Sequence, residues 1–408
     1  MMNLTKESKE YYESTKREDR NAKGQFFTEE KVKKLALKGL HIPSESRILE
    51  NSCGSGEFIK SIFEKNSFVQ IDGYDIEQSL VDICNKLYPT ANVVCQDFLT
   101  LEHSPIYDFV IGNPPYFEMK KKGNEELLKR YSEALSGRAN IYSLFFKASI
   151  DSLKPGGQLI YVVPTSMNNG SYFKKLRKFI IKNCNIDEII LLGDSEFEDV
   201  QQNTMIIKLS KLKEGEANDG KYVFSKGDIS IFSTKYDKLE EMSSKGQTLE
   251  ELKFDVFTGN LVWNQQKEYM SNNVSHTPLI WASNIGEDKL DYPCSSLVKH
   301  EHKAQYVDDS SESFNISKIK KDSIVLNRVT GAGSNAKIRA AIVDIPTGYY
   351  TENHVNYIVR GEDCEHTLEQ LLKALRSDET IEFIQMLTGN TQISKTELQK
   401  IIPFSLDK

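Results

Sequence analysis

The chain reads as an α/β protein built on a largely parallel sheet with helices on both faces, followed by a smaller α+β domain. Three observations lead there. From Arg47 to about Leu209, short apolar runs alternate with amphipathic stretches, the spacing that builds βαβ units. From about Lys211 to Gln247 the texture turns polar and rich in Gly, Ser, Lys and Glu, as at a junction. Beyond it come short strands, many turns and a helical Leu368–Met386, with no second βαβ series and no internal repeat. The division drawn from this is residues 1–245 and 246–408.

The expected strands are Arg47–Glu50, Phe68–Asp75, Asn92–Gln96, Phe109–Ile111, Gln158–Val163, Ile186–Leu192 and Thr204–Leu209. Their short, nearly continuous apolar character fits strands buried on both faces. The expected helices between them include Glu57–Lys65, Gln78–Tyr88, Ile141–Ser152 and Phe173–Asn183. Open sheets of this kind bind ligands at the carboxyl ends of their strands.

A length of 408 residues with 39% hydrophobic and 27% charged residues describes a globular chain with a substantial core. No run approaches the roughly 18 apolar residues of a membrane helix, and the polar start Met1–Glu7 has no secretion signal, so a cytoplasmic protein with no membrane partner is expected. The cysteines at 53, 84, 95, 184, 294 and 364 form no C-x-x-C pair, which argues against a zinc site and a disulfide framework. The net charge of −7 does not exclude nucleic acid, because phosphate contacts need local positive charge. Such charge exists in Lys120-Lys121-Lys122, Lys174-Lys175-x-Arg177-Lys178, Lys318-x-Lys320-Lys321 and Lys337-x-Arg339. Runs of this kind are more often solvated faces.

The stretch richest in chemistry is Asp108–Tyr116, an apolar strand that stops at Asn113-Pro114-Pro115-Tyr116. Asn113 offers a side-chain acceptor, Pro115 lacks an N–H and so leaves the Pro114 carbonyl for a ligand, and Tyr116 supplies a π-face. Together they suit a planar amino group and the ring that carries it. Upstream, Glu50 ends the first strand and Cys53-Gly54-Ser55-Gly56 forms a turn into a helix, where glycines let the backbone approach a ligand. Only G-x-G is present, without the third glycine of a dinucleotide fingerprint, which disfavours NAD. Asp75 ends the next strand, before Ile76, where an acid commonly takes a ribose hydroxyl pair. Asp97 ends the third, positioned to accept from an exocyclic amine, with Phe98 beside it to cover an adenine ring. Each acid serves equally well as a helix N-cap or turn residue when taken alone.

As a set, these motifs resemble the S-adenosylmethionine-dependent DNA adenine-N6 methyltransferases in the gamma arrangement, found mainly with bacterial restriction–modification systems. The resemblance runs from about Gly24 to Leu209. It takes in Lys23–Thr28, similar to the family's amino-terminal motif, and Lys154-Pro155-Gly156-Gly157 followed by Gln158–Pro164. It implies a Rossmann-like mixed seven-stranded methyltransferase sheet, S-adenosylmethionine as cofactor, no metal, and double-stranded DNA as partner. Phe27 and Thr28 would close over the methionine end of the cofactor. Glu50, Cys53, Gly54, Gly56, Asp75, Ile76, Asp97, Phe98 and Asn113 would complete its site. Phe197 matches the family's second stacking aromatic, beside a catalytic Asn113, Pro114, Pro115 and Tyr116. One departure is that Asn51 stands where the family often has proline.

Residues 246–408 resemble, more loosely, the target-recognition domains of such enzymes and of type I specificity subunits. Asn327 and Arg328 beside a glycine-rich turn, with Lys337 and Arg339, are the DNA-binding candidates; Arg and Asn read guanine and adenine in the major groove, but equally contact phosphate or cap turns. His354 reads as a core or turn histidine. The expected reaction is methyl transfer to the N6 amine of an adenine flipped out of the duplex, by a monomer or weak dimer, with a separate cognate endonuclease left open. The alternative is a protein N5-glutamine methyltransferase, whose amide nitrogen poses the same chemical problem.

Overall fold

A computed structural model of the chain describes residues 5–16, 18, 28–192, 204–286, 289–292, 303–328, 338–387 and 393–406. The chain divides into two compact units, residues 1–225 with 229–236, and residues 226–228 with 237–408. Phe27, Phe197 and Lys337 lie outside the described residues. No helix among the described residues is long and apolar enough to cross a membrane.

The first unit is the expected mixed sheet. Its strands are β1 (Arg47–Glu50), β2 (Gln70–Asp75), β3 (Asn92–Cys95), β4 (Tyr107–Gly112), β5 (Leu153–Pro164), β6 (Cys184–Leu191) and β7 (Thr204–Lys211). They lie in the order β3-β2-β1-β4-β5-β7-β6. The first five are mutually parallel, and β7 runs antiparallel to both β5 and β6. Around the sheet stand α1 (Lys6–Ser14), α2 (Glu30–Ala36), α3 (Glu57–Lys65), α4 (Gln78–Leu87), α5 (Glu125–Arg130), α6 (Ile141–Ser152) and α7 (Lys174–Asn183).

Both faces of the sheet are covered, which is why its strands read as continuous apolar runs. Tyr142, Leu144 and Phe146 of α6 and Leu176 and Ile180 of α7 pack one face together with Leu49, Val110 and Leu159. Val32 and Ala36 of α2, Phe58, Ile59 and Ile62 of α3, and Val81 and Cys84 of α4 pack the other against Ile48, Ile111 and Ile160. After β3 the chain crosses back to place β4 on the far side of β1. The carboxyl ends of β1 and β4 therefore flank a crevice where strand order reverses, the usual ligand position in such sheets.

The strands depart from expectation mainly at their ends. Phe68 is 77% exposed, so β2 begins at Gln70. β5 starts five residues early, with Lys154–Gly157 looped out where its pairing to β4 shifts register. The run around Arg177 is corrected more substantially. Arg177 is 1% exposed and donates to the carbonyls of Ser230 (2.6 Å), Met167 (2.8 Å) and Gly170 (2.9 Å). It is an internal strut and not part of a charged face.

The 211–247 stretch holds more structure than a junction. A hairpin of β8 (Val223–Lys226) and β9 (Ile229–Phe232) precedes α8 (Tyr236–Ser243). The second unit is α+β. An antiparallel sheet runs β10 (Phe254–Thr258), β17 (Val355–Arg360), β14 (Ser323–Asn327), β15 (Ala340–Val343). A second sheet runs β11 (Met270–Ser271), β13 (Tyr306–Val307), β12 (Thr277–Ile280), β16 (Tyr350–Thr351). The single helix expected over Leu368–Met386 is two, α9 (Leu368–Leu375) and α10 (Asp378–Leu387), followed by α11 (Lys395–Lys400). Ser377 makes the break, its hydroxyl accepting from the Thr380 N–H at 3.2 Å as a new N-cap.

Beneath the glycine turn of the first unit lies a buried ion pair. Lys33 is 0% exposed, with Nζ 2.7 Å from Glu57 Oε2 and 3.2 Å from Glu30 Oε2. Removing one partner of such a pair leaves an uncompensated buried charge. Lys33→Met is expected to destabilise the first unit by about 3 to 5 kcal/mol, and Lys33→Met with Glu57→Leu to recover part of that loss. Chemical denaturation of the three proteins checks this; a double variant no more stable than the single one would contradict it.

Candidate active site

A cavity of about 170 Å³ opens at the carboxyl ends of β1, β2, β3 and β4. Thr28, Glu50, Cys53, Gly54, Asp75, Ile76, Asp97, Phe98 and Asn113 all line it, with Pro115. Residues marked in sequence as separate motifs are thus brought to one wall. Gly56 sits just behind, as the N-cap of α3.

The glycine turn is held by the acid of the next strand. The Gly54 N–H donates to Asp75 Oδ2 at 2.9 Å and the Glu77 N–H to Asp75 Oδ1 at 3.0 Å, leaving each oxygen a further lone pair. Burial raises the Asp75 carboxyl, and these backbone donors oppose the rise. Both glycines need the left-handed region, Gly54 at φ 53° and Gly56 at φ 81°. At Gly54 a Cβ would meet nothing within 4 Å, whereas at Gly56 it would stand 2.8 Å from both Cys84 Sγ and the Tyr88 ring. Hydrogen bonding to Cys84, followed by burial, pushes the Cys53 thiol well up. The Cys53 thiol is therefore held in its neutral form at the cavity wall.

Glu50 is the outlier in this wall. It is 2% exposed, and burial first, then the nearby Cys84 and Glu57, raise its carboxyl well above the usual range. Its Oε2 has no hydrogen-bond partner among the described residues. A buried acid of this kind is a ready seat for a cationic group.

Asp97 combines its two readings. Oδ1 accepts from the Leu99 N–H at 3.0 Å as an N-cap, while the residue lines the cavity and is exposed. Phe98 is 4% exposed and held between His103 (ring centroids 4.6 Å apart) and Tyr74 (5.4 Å). Ile76, 67% exposed, is the more open apolar side chain.

The N-P-P-Y strand end closes the other side. Asn113 Nδ2 donates to Thr28 Oγ1 at 3.1 Å, across 85 residues of sequence. The Tyr116 hydroxyl contacts Asn113 Oδ1 and lies 2.7 Å from the Val162 carbonyl. One phenolic proton cannot serve both acceptors. Exchanging the oxygen and nitrogen of the Asn113 amide resolves this, with Nδ2 donating to the phenol and Thr28 donating to Oδ1. Either way Thr28 and Tyr116 fix the plane of the amide. Pro114 is buried, and its carbonyl accepts no hydrogen bond among the described residues. The Tyr116 ring is half-buried and packs edge-on to Tyr142, at 6.2 Å and 88°.

Residues 57–197 match the family model described as the Eco57I restriction-modification methylase. That match falls within the first unit and takes in Asp75, Asp97 and the N-P-P-Y strand end. The chain is 30% identical over 226 residues to the modification methylase CviBIII of Paramecium bursaria Chlorella virus NC1A, covering 54% of this chain and 57% of that protein. It is 26% identical over 294 residues to the type II methyltransferase M.HincII of Haemophilus influenzae, covering 70% and 52%. It is 22% identical over 400 residues to the type II methyltransferase M.CvrRI of Paramecium bursaria Chlorella virus XZ-6E, covering 97% and 98%. The chain thus spans little more than half the length of the first two, and nearly all of the third.

In the first unit, several groups that hold the site escape sequence reading. Asn51, the departure from the family's usual proline, is a buried hub. Its Nδ2 donates to Ser149 Oγ at 2.7 Å, and the Tyr161 hydroxyl donates to its Oδ1 at 2.9 Å. The end of β1 is thereby tied to α6 and β5. Ser52 Oγ donates to the Asn113 carbonyl at 3.3 Å, and Ser8 Oγ to Ser55 Oγ at 2.8 Å. Nothing local in the sequence signals partners 47 to 110 residues away.

In the second unit, Asn327 is 2% exposed and its Oδ1 accepts from the Arg339 N–H at 2.6 Å. Arg328 Nη1 donates to the Asn353 carbonyl at 2.9 Å. Both make the turn contacts that were the open alternative for them. His354 Nδ1 lies 2.7 Å from Glu352 Oε1, a hydrogen-bonded turn histidine.

Gly56→Ala is expected to destabilise the first unit clearly more than Gly54→Ala. Each incurs left-handed strain of about 1 to 2 kcal/mol, and only the first adds the clash with Cys84 and Tyr88. Thermal denaturation of the two variants measures the difference; equal losses would contradict the packing described here.

Proposed function

We propose that the protein is a site-specific DNA methyltransferase that moves a methyl group from S-adenosylmethionine to the N6 amine of an adenine extruded from duplex DNA. The observation that carries this reading is one cavity bounded at β1 by the buried, unpartnered Glu50 oxygen and at β4 by the fixed Asn113 amide. The match to restriction–modification methylases supports DNA as the carrier of the amine.

The residues present fit the cofactor. Glu50 would take its ammonium group, and the free lone pairs of Asp75 its ribose hydroxyls. Asp97 would accept from the exocyclic amine, with Ile76 and Phe98 against the purine. The open space beside Gly54 would admit the chain between them. When bound, S-adenosylmethionine supplies an electrophilic methyl on sulfur. The protein's own task concerns the acceptor. An aromatic amine donates its lone pair into the ring and is a poor nucleophile. Asn113 and the Pro114 carbonyl, each accepting one N6 hydrogen, would favour a pyramidal nitrogen with its lone pair directed outward. Positioning and electrostatics then account for the rate enhancement. No covalent step is needed, consistent with the neutral Cys53 thiol. Residues 246–408 would recognise the target sequence, and a separate cognate endonuclease fits the same setting.

Two tests follow. Incubation with genomic DNA and labelled S-adenosylmethionine, with mapping of the methylated bases, is expected to yield N6-methyladenine. Methyl transfer to a protein glutamine in place of DNA would overturn the reading. Asn113→Ala is expected to lower kcat at least about a hundredfold with cofactor affinity retained; surviving activity would remove Asn113 from the mechanism.

A further test uses the Glu50 carboxyl. In the free protein it stays protonated beyond the usual carboxylate range, while an ammonium partner needs it ionised. Cofactor affinity is therefore expected to rise with pH through the raised pKa, falling about tenfold per unit below it, with a proton released on binding. Calorimetry across pH reads both quantities. Glu50→Gln should bind weakly and lose this dependence, and an unchanged pH profile would exclude Glu50 as the ammonium seat.

A further inference from the structure

The segment between the N-P-P-Y motif and α6 is pinned at its neck beside the cavity. The Ile141 N–H donates to the Phe117 carbonyl at 3.0 Å and the Met119 N–H to the Ala139 carbonyl at 2.8 Å; Phe117 and Ile141 both line the cavity. Just beyond the neck stand Lys120, Lys121 and Lys122, all exposed and with no acid partner among the described residues. Lys120 follows Phe117 by three residues, so no more than about 11 Å of chain separates it from the cavity wall.

Several other charges in the segment are engaged. Glu118 pairs with Arg138 at 3.6 Å, and Glu133 faces Lys182 at 3.3 Å. Glu125 accepts from the Gly123 N–H at 2.9 Å, and Arg130 donates to the Thr100 and Leu101 carbonyls. Glu126 is exposed as well, but the three consecutive lysines make no ion pair among the described residues and form a concentrated positive patch at the rim of the site.

An aromatic shelf accompanies them. Tyr172, in the connection leaving the carboxyl end of β5, is 49% exposed. Its ring lies over Gly137, where a Cβ would come within 2.8 Å of it, and the Arg138 guanidinium stands 5.9 Å from the ring centroid. Ser136 Oγ donates to the Tyr172 carbonyl at 2.8 Å. The ring is therefore held in place with part of its surface open to solvent. A positive patch beside a fixed, exposed aromatic suits a polyanion that carries flat groups.

We propose that this segment is a nucleic-acid contact within the first unit itself. Lys120, Lys121 and Lys122 take backbone phosphates next to the extruded nucleotide, and Tyr172 supports a neighbouring base or sugar. The inference rests on the DNA reading above and adds a site to it. The test is binding of the full chain to a short random-sequence DNA duplex as a function of salt. The triple variant Lys120→Gln, Lys121→Gln, Lys122→Gln is expected to lower the slope of log affinity against log salt by about 2 to 3, with S-adenosylmethionine affinity unchanged. Tyr172→Ala is expected to weaken duplex binding about tenfold with the slope retained. A wild-type slope in the triple variant would overturn the proposal while leaving the methyltransferase reading intact. Loss of cofactor affinity in that variant would also overturn it, by assigning the lysines to the cofactor site. A wild-type protein that binds the cofactor and no DNA at any salt would overturn both readings.

Discussion

The Glu50 carboxyl at the end of β1 is the constraint around which the first unit is arranged. An acid 2% exposed, with one oxygen unpartnered among the described residues, is held against its solvation preference, and such a cost persists only where surrounding structure enforces it. Here the enforcement is distributed. Asn51, next in sequence, is fastened to Ser149 and Tyr161, and the glycine turn that follows is fastened to Asp75. The Lys33–Glu57 pair sits under the start of α3. The exit of β1 is thereby fixed from three sides. This rigidity holds the acid at the cavity wall, where a group entering the cavity can reach it.

The part of this arrangement legible in sequence is the part set by burial. Strands covered on both faces have to be apolar along their length, so β1 to β7 stand out, and their carboxyl ends mark where ligand groups belong. What sequence hides is pairing at long range. Lys33 reads as one more charge on a surface helix, yet it is wholly buried. Arg177 reads as part of a basic run, yet three carbonyls enclose its guanidinium. Both are long side chains whose polar ends find partners brought together only by the tertiary fold. The break between α9 and α10 differs, because its signal was present. Apolar periodicity continues across Arg376 and Ser377, but Ser-Asp-Glu is a helix start, and local capping outweighs the longer pattern.

The two units were not equally readable. In the first, the motif residues converge on one cavity. In the second, the side chains named for base contacts are engaged in holding turns: Asn327 with Arg339 and Arg328 with Asn353. Arginine and asparagine beside a glycine-rich turn suit both tasks, since the same donors and acceptors that read a base edge also satisfy a backbone. Residue type there does not separate the two.

The N-P-P-Y strand end brings these lines together. Its amide does not wait in open space; Thr28 and Tyr116 already hold it. The Asn113 amide oxygen has a second lone pair and the Pro114 carbonyl accepts no bond among the described residues, so an incoming group can add hydrogen bonds to both without displacing those that fix the amide. A primary amine on a flat ring can do so, placing one hydrogen on Asn113 and one on the Pro114 carbonyl. A group with a single N–H leaves one acceptor bare, and in a largely buried site that deficit discriminates strongly. On the proposed reading, the two prolines and the pre-engaged asparagine select the number of hydrogens on the nitrogen before any chemistry begins.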